Sequence, residues 1–485
     1  MRVMLVALVA LGAFVRPVAA DEGAGPPSSE PLREQGDGEF GPLILIESIE
    51  VFGNTATQTE LIRRTLPLQP GDVLHASNKR LREARFKVLA LGYFRDVTLA
   101  MRKGSARGRV VLEVQVVERG TVVLNRLWFG TTDVSPYWLG ADVSERNLLG
   151  LGVGLGAGFI YAAHGDIVGS RDQWAAELRA ADWSLLGTRW GANAALTLVH
   201  GSETYRVSGD PRDVDTRDLR AFPYRRFGVR TGLTYDISAL SRISAGVRAE
   251  HVTADVPVAP TFVRPDGHTV ALDLHLKPGE SEVVTAGIAF DRDTRPDPVL
   301  PHQGGHLTIS AELGSSLLGG SYEFATLFGR YEHYWPLFRN RHTIGLKVAG
   351  GVVIGDAPRF ERIHIADVNR MLTPRALGLV LSAAAPFNFL GTRADKSSFG
   401  DVGGSANLEY AFTLFRGRGR NRVYGGDLFF GMGMWALADS ADLRIRDTSL
   451  PDALPIDLYI DAGVRIDTDV GVFEVTFANA LGRLR

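Results

Sequence analysis

The chain has 485 residues, with 53 Lys and Arg against 55 Asp and Glu, a net charge of -2, and no cysteine. That balance gives no bulk electrostatic case for nucleic acid. The missing cysteines exclude disulfides, thiolate chemistry and cysteine-ligated metal, and no run of about 20 apolar residues follows the N-terminus, which excludes a helical membrane protein.

Met1 to Ala20 reads as a signal peptide: Arg2 is the charge, Val3 to Val15 the apolar core and Val18-Ala19-Ala20 the small-residue cleavage site. Residues 21–42 are polar and rich in Gly, Pro, Ser and Glu, and read as a disordered linker.

Residues 43–120 read as a compact α+β unit. Ile44 to Phe52 is strand-like and Gly53-Asn54 a turn. Gln58 or Thr59 starts a helix that Pro67 and Pro70 end, and Ser77 is the expected cap of a second helix that Gly92 stops. Strands follow over Val97 to Met101 and Arg109 to Val117. The order strand, helix, helix, strand, strand resembles a POTRA domain. Its signature residues would be Gly53, Asn54, Gly71, Gly92, Tyr93 and Phe94, with Glu118 closing the last strand. The open edges of such a sheet can accept an extended peptide by strand addition.

From residue 121 the period is 2. In Gly150 to Gly158 every even position is glycine and the odd positions are apolar, which with no helix to follow is a strand and not a phosphate loop. Ile243, Ala245, Val247 and Ala249 oppose Ser244, Gly246, Arg248 and Glu250. Later segments repeat this: one face is apolar and the other carries Arg, Asp and Glu. Segments of roughly 10–14 residues match tilted membrane strands. A charge facing lipid at mid-depth costs about 2–4 kcal/mol, whereas the lumen tolerates it. These features predict a transmembrane antiparallel β-barrel over residues 121–485.

Fifteen strands are countable, beginning near Val122, Tyr137, Gly152, Asp172, Arg189, Tyr224, Ser241, Glu282, Gly305, Glu323, Arg341, Val402, Asn421, Asp457 and Gly471. Single-chain bacterial barrels are even-numbered, so either one strand escapes recognition or the last lies outside the chain. The basic end Leu481 to Arg485, without a terminal aromatic, favours the latter. Residues 355–401 interrupt the alternation as a long loop, far beyond the roughly 2–5 residues of a hairpin connection.

Three barrel segments carry a further resemblance. They are Asn147-Leu148-Leu149-Gly150-Leu151-Gly152, the run from Asp293-Thr294-Arg295 through Pro301 to Gly304-Gly305, and Gly463 to Phe473. With the α+β unit they resemble the BamA/TamA family of outer-membrane assembly proteins. The resemblance implies a mainly β protein: a POTRA domain in the periplasm, then an outer-membrane barrel of about 16 strands. It makes residues 355–401 a long extracellular loop that folds back into the lumen, where a motif arginine is held by acidic groups. Arg375 matches that arginine, although Ala376-Leu377 stands where the family has Gly-aromatic. Glu409 is the expected partner on the following strand. On the next strand Gly431 stands where the family often has Asp, and Asp427 is the candidate substitute.

The implied partners are outer-membrane lipids and unfolded outer-membrane protein clients, with periplasmic chaperones or accessory lipoproteins beside them. A two-partner-secretion translocator or passive pore is the alternative. No nucleophile elbow, His-Glu-x-x-His or phosphate loop occurs. No enzyme activity, cofactor or metal is therefore expected. His200, His251 and His333 read as pore or interface residues, and Asp291, Asp293 and Arg295 as strand-end ion pairs.

Overall fold

The computed structural model describes residues 42–75, 78–185, 188–209, 216–238, 240–296, 300–338, 341–369, 374–382, 399–416, 422–440 and 456–483. The expected signal peptide and all but the last residue of the expected linker lie outside the described residues.

The N-terminal unit is built from β1 (Leu43–Phe52), α1 (Thr59–Thr65), β2 (Val73–His75), α2 (Lys79–Ala90), β3 (Phe94–Lys103) and β4 (Arg109–Glu118). Its sheet runs β2-β1-β4-β3, with β1 and β4 parallel. The two helices cover one face, and Ile46, Ile62, Val88, Val97, Leu112 and Val114 meet there as a buried core. The short β2 was not legible in the sequence; it pairs antiparallel with the start of β1. Ser77 lies outside the described residues; the cap of α2 is Asn78, whose side chain accepts from the Arg80 N–H at 2.8 Å. Gly53 has φ +87°, and a Cβ there would lie 2.1 Å from the Val116 carbonyl oxygen, so this turn admits glycine alone.

The remaining chain forms one meander of fifteen strands. In order they are β5 (Val122–Gly130), β6 (Trp138–Leu148), β7 (Val153–Ala162), β8 (Gln173–Asp182), β9 (Trp190–Arg206), β10 (Leu219–Ser238) and β11 (Ser241–Ala254). A small extracellular hairpin, β12 (Thr261–Val263) with β13 (Thr269–Ala271), intervenes. The barrel continues with β14 (Gly279–Asp293), β15 (Gly304–Gly314), β16 (Phe324–Leu337) and β17 (His342–Gly355). Within the long loop lie β18 (Ile363–His364), α3 (Ile365–Val368), β19 (Arg375–Ala376), β20 (Leu379–Val380) and β21 (Phe399–Gly400). Last come β22 (Val402–Arg416), β23 (Val423–Ala438), β24 (Ile456–Thr468) and β25 (Gly471–Arg483).

The apolar face of each strand is turned outward. Leu127, Phe159, Leu178, Phe227, Val247, Ile288, Leu408, Phe430 and Val475 are all exposed large hydrophobics, the arrangement a lipid solvent rewards. The opposite face lines the lumen with Glu409, Asp427, Asp461, Arg248 and Glu250, all buried. The barrel is nearly closed. β5 and β25 are the two ends of the sheet, and no ladder joins them among the described residues. An odd count in an antiparallel meander makes these end strands run in the same direction. They meet at one end, where the Leu124 N–H donates to the Val470 carbonyl at 2.8 Å.

Candidate functional site

The long loop between β17 and β22 lies inside the barrel. Its first part is locked by charge. Glu361 receives two hydrogen bonds from Arg248 of β11, Nη1 to Oε1 at 2.6 Å and Nη2 to Oε2 at 2.8 Å. Arg248 also donates to Glu250 at 2.9 Å and to Glu312 at 3.0 Å, while Arg226 donates to Glu250 at 2.9 and 2.6 Å. Arg230 is the third cation within electrostatic reach of Glu361. Three carboxylates thus face three guanidinium groups, which is what makes a buried ionic cluster tolerable. The Arg226 guanidinium lies 3.8 Å from the ring centre of Phe360, next to Glu361.

Neighbouring residues extend the lock. Arg359 donates to Glu203 at 3.2 Å and to the Thr204 carbonyl at 3.3 Å, on β9. Arg362 grips Asp401 at 3.0 and 2.8 Å, and also Asp439 just past β23. Phe360, Ile363, Ile365 and Val368 join the wall residues Tyr322, Phe324, Trp435 and Leu437 in one buried apolar cluster.

Arg375 has a different partner from the two expected. Its Nη1 donates to Asp367 Oδ1 at 3.0 Å and Oδ2 at 2.9 Å, and its Nη2 to the Phe360 carbonyl at 3.2 Å. The arginine is therefore a brace within the loop. Asp367 also accepts from the His364 N–H at 2.8 Å and completes a capping box on α3. The expected partners are engaged elsewhere. Glu409 is clasped by Arg465 through two 2.6 Å bonds and by Lys347 at 2.6 Å. Asp427 accepts from Arg416 at 3.1 Å. Gly431 pairs with Asp461 across β23 and β24, and a Cβ at 431 would lie 2.4 Å from the Asp461 carboxylate. The acidic group absent at 431 thus reappears one strand over, and Asn407 donates to it at 2.9 Å.

The second part of the loop is a tight hairpin. Arg375 pairs with Val380 and Ala376 with Leu379, leaving Leu377 (φ +46°) and Gly378 (φ +86°) as turn residues. Two successive positive φ values define a type I′ turn. The space for it comes from β7: a Cβ on Gly158 would lie 3.3 Å from Leu377 Cδ1. Part of the alternating glycine run thus clears the lumen wall for the loop. Thr132 donates to the Leu381 carbonyl and Ser382 to Asp133 at 2.8 Å, tying this hairpin to the β5–β6 connection.

Between loop and sheet ends lies a cavity of about 1230 Å³, lined by Arg126 and Trp128 of β5, Phe473 and Val475 of β25, and Glu361 and Arg375 of the loop. It opens where β5 and β25 fail to pair.

The other signature residues are structural. Asp293 accepts from the Arg295 N–H at 3.0 Å and from its guanidinium at 2.9 and 2.7 Å. Thr294 and Gly305 exchange backbone and hydroxyl hydrogen bonds of 2.8–3.0 Å. Gly304 turns with φ +84°, and Pro301 sits half-buried in the same β14–β15 turn. Asp291 pairs with His306 at 2.7 Å. His200 and His251 lie on outward faces, not in the pore.

Of the POTRA signature residues, Tyr93 reaches the joint with the barrel, and the others shape the domain itself. The Asn147 to Gly152 turn docks on the N-terminal unit: Asn147 donates to Thr57 Oγ1 at 2.9 Å, Gln58 N–H to the Gly150 carbonyl at 3.1 Å, and Tyr93 OH to the Gly152 carbonyl at 3.3 Å. Burial pushes the Tyr93 phenol up to about 12, aided by Asp182, so it stays a donor. Asn54 holds the approach to α1, donating to the Thr57 carbonyl and Thr59 hydroxyl at 2.9 Å each. Gly71 donates to the Ile46 carbonyl at 2.7 Å, Gly92 ends α2 with φ +75°, and Phe94 is buried in the core. At the far side Arg119 pairs with Asp467 at 3.1 Å, both nearly buried, and faces the Tyr424 ring.

An α+β unit joined to a nearly closed barrel of fifteen strands, with an in-folded loop and unladdered sheet ends, defines an outer-membrane POTRA-barrel protein. Residues 147–485 match the model of the Omp85 superfamily domain, and residues 44–119 that of the surface antigen variable number repeat of POTRA type. The chain belongs to the Omp85 superfamily, and it is an outer-membrane protein with its POTRA domain in the periplasm.

Among similar curated proteins is the outer membrane protein assembly factor BamA of Neisseria meningitidis serogroup B, 24% identical over 351 residues, covering 67% of this chain and 39% of that protein. BamA of Nitratidesulfovibrio vulgaris is 22% identical over 341 residues, covering 67% and 37%. The chain thus spans well under half the length of these relatives. Among solved structures, BamA from Haemophilus ducreyi lacking POTRA domains 1–3 has a TM-score of 0.51 at 14% identity, covering 91% of this chain and 82% of that one. CdiB from Escherichia coli has a TM-score of 0.57 at 12% identity, covering 91% and 73%. Both are likenesses of fold.

Proposed function

We propose that this chain acts in outer-membrane protein biogenesis, as an assembly factor that inserts client proteins into the outer membrane. One observation carries the reading: β5 and β25 leave their backbone edges without a ladder, and the cavity opens at that seam. An unpaired edge at membrane depth is unfavourable, because lipid satisfies no N–H or C=O. A client strand added there would satisfy both sides. The free edge of β3 in the POTRA sheet offers an earlier docking place for an extended client. Clients, periplasmic chaperones and accessory lipoproteins are the proposed partners. We assign no catalytic residue and no cofactor.

The test is depletion of the protein followed by an outer-membrane proteome. Loss of other barrel proteins is the expected result; an unchanged proteome overturns the reading. Because the chain has no cysteine, single cysteines placed in β5 and β25 and joined by a bifunctional crosslinker should block insertion by closing the seam.

A second reading, a two-partner-secretion-type translocator or passive pore, draws on the lumen cavity beside the loop. Planar-bilayer recordings separate the two: large steady openings favour the pore, a quiet trace the insertase.

A further inference from the structure

A row of aromatic and basic residues lies on the outward face near the extracellular end of β7 to β10. Register pairing places Tyr161 of β7 beside Trp174 of β8, Trp174 beside His200 of β9, and His200 beside Arg225 of β10. All four share the outward faces of their strands with Phe159, Leu178 and Phe227. The Trp174 and His200 rings meet edge to face, with centroids 6.0 Å apart. Arg171, just before β8, is exposed, and both it and Arg225 lie within electrostatic reach of the His200 imidazole.

Neither guanidinium has an ion-pair or hydrogen-bond partner among the described residues, although the lumen arginines Arg226 and Arg248 are fully engaged. The nearest carboxylate below Arg171, Asp172, is held by His164 at 2.6 Å and by Tyr161 OH at 2.7 Å. Along the row beyond Arg225 come Thr253 and then Glu280. In the row itself the first carboxylate is thus two strands away, about 10 Å at the usual strand spacing, and the exposed Asp255, one step toward the extracellular side opposite Pro223, has no ion pair with Arg225. Glu282, one step deeper, is paired with His251 at 2.7 Å.

Tyr and Trp on the outward face mark the level where a barrel meets lipid headgroups. Two unpartnered guanidiniums at that level, on either side of an aromatic-imidazole shelf, fit a phosphate: each can donate a forked pair of hydrogen bonds. We propose that Arg171, His200 and Arg225 form a binding site for the phosphate headgroup of an anionic lipid in the outer leaflet, with Trp174 and Tyr161 packing against the sugar or glycerol that carries it. The site lies outside the seam and the loop lock, and stands whether the protein is an insertase or a pore.

The test uses the full chain reconstituted in phosphatidylcholine nanodiscs containing a trace of a phosphorylated glycolipid, its dephosphorylated form, or neither. Lipid retained on the protein is read by native mass spectrometry. The expected result is about tenfold preference for the phosphorylated form, lost in Arg171→Gln/Arg225→Gln and kept in Arg171→Lys/Arg225→Lys, with lysine still supplying charge. Heat-modifiable migration confirms that each variant is a folded barrel. Equal retention of both glycolipids, or unchanged preference in the Gln variant, overturns the site. Displacement of the lipid by millimolar inorganic phosphate would reveal a free-anion site and overturn the lipid assignment.

Discussion

Glu361 of the long loop and Arg248 of β11 make a two-point contact, 2.6 and 2.8 Å, at the middle of the lumen. The pair joins the extracellular loop to a strand more than a hundred residues earlier, and it makes the loop part of the barrel wall rather than a tether above it.

Removing one side of this pair should release the loop. Glu361→Gln leaves Arg248 with Glu250 and Glu312, so the loss is expected to be about 3 kcal/mol, at the lower end for a broken buried pair. Arg248→Ala removes a cation shared by three carboxylates, leaves Glu361 without its guanidinium donor while Glu250 keeps Arg226, and should be worse. Protease accessibility of the loop and the heat-modifiability midpoint measure both, and an unchanged loop in Glu361→Gln sinks the lock.

Arg375→Ala should be milder. The side chain braces Asp367 and the Phe360 carbonyl inside the loop, and Asp367 keeps its bonds to α3. A loss of about 1–2 kcal/mol is expected, of the order of one charge-assisted hydrogen bond. A double-mutant cycle of Arg375 with Glu409 should give zero coupling and one with Asp367 a clear coupling. Coupling to Glu409 would restore the arrangement the family resemblance implies.

Glu409→Ala should cost more than Arg375→Ala, about 3 kcal/mol, because it leaves Arg465 and Lys347, both half-buried, with less countercharge. Thermal unfolding in detergent measures it. Equal midpoints for the two variants would contradict the pairings.

The POTRA joint should fail at one residue. Gly150 has φ +75°, and a Cβ there would lie 2.2 Å from the Ala56 carbonyl oxygen. Gly150→Ala should lift the β6–β7 turn off the domain without unfolding the barrel. Asn147→Ala, which removes the bond to Thr57, should do the same more weakly. Hydrogen exchange at the start of α1 is the readout.

The same loop carries a pH dependence. Glu118 accepts from the Thr55, Ala56 and Thr57 backbone N–H groups at 2.7–3.2 Å. Burial opposes its ionisation, but these bonds and the Thr55 hydroxyl outweigh that and bring its carboxyl down to about 2. A lowered folded-state pKa stabilises above the unfolded value of about 4.3, and the contribution fades as pH falls toward 2. Amide protection at Thr55 to Thr57 should therefore fall over that window. In Glu118→Gln it should already be low at pH 7 and show no such step.

Alternation alone located the barrel strands: the expected starts at Val122, Ser241, Val402 and Gly471 coincide with the observed ones. Where the expectation slipped, tertiary pairing was the reason. β10 begins at Leu219 rather than Tyr224 because β9 continues to Arg206 and pairs with it. β2 is three residues long and has no period to read.

Lumen charge was legible, since period 2 assigns Arg248, Glu250, Glu409 and Asp427 to one face. Their pairings were not. Neighbours in an ion cluster are chosen by strand register and by how deep the loop enters, and neither follows from a local pattern. Glu361 carried the only usable signal, an acidic residue between Phe360 and Arg362 in a loop, and its partner lies on the fifth barrel strand back along the chain.

The sequence by itself determined an exported-type chain with a POTRA-like unit, a barrel and a long loop, because backbone satisfaction in lipid leaves a two-faced, period-2 chain few other solutions. Only the tertiary structure decided that Arg375 serves the loop, that Glu361 and Arg248 hold it, and that the sheet ends meet at one end without a ladder among the described residues. Those outcomes depend on three-dimensional distance between charges, which fixes the sign and strength of each pair.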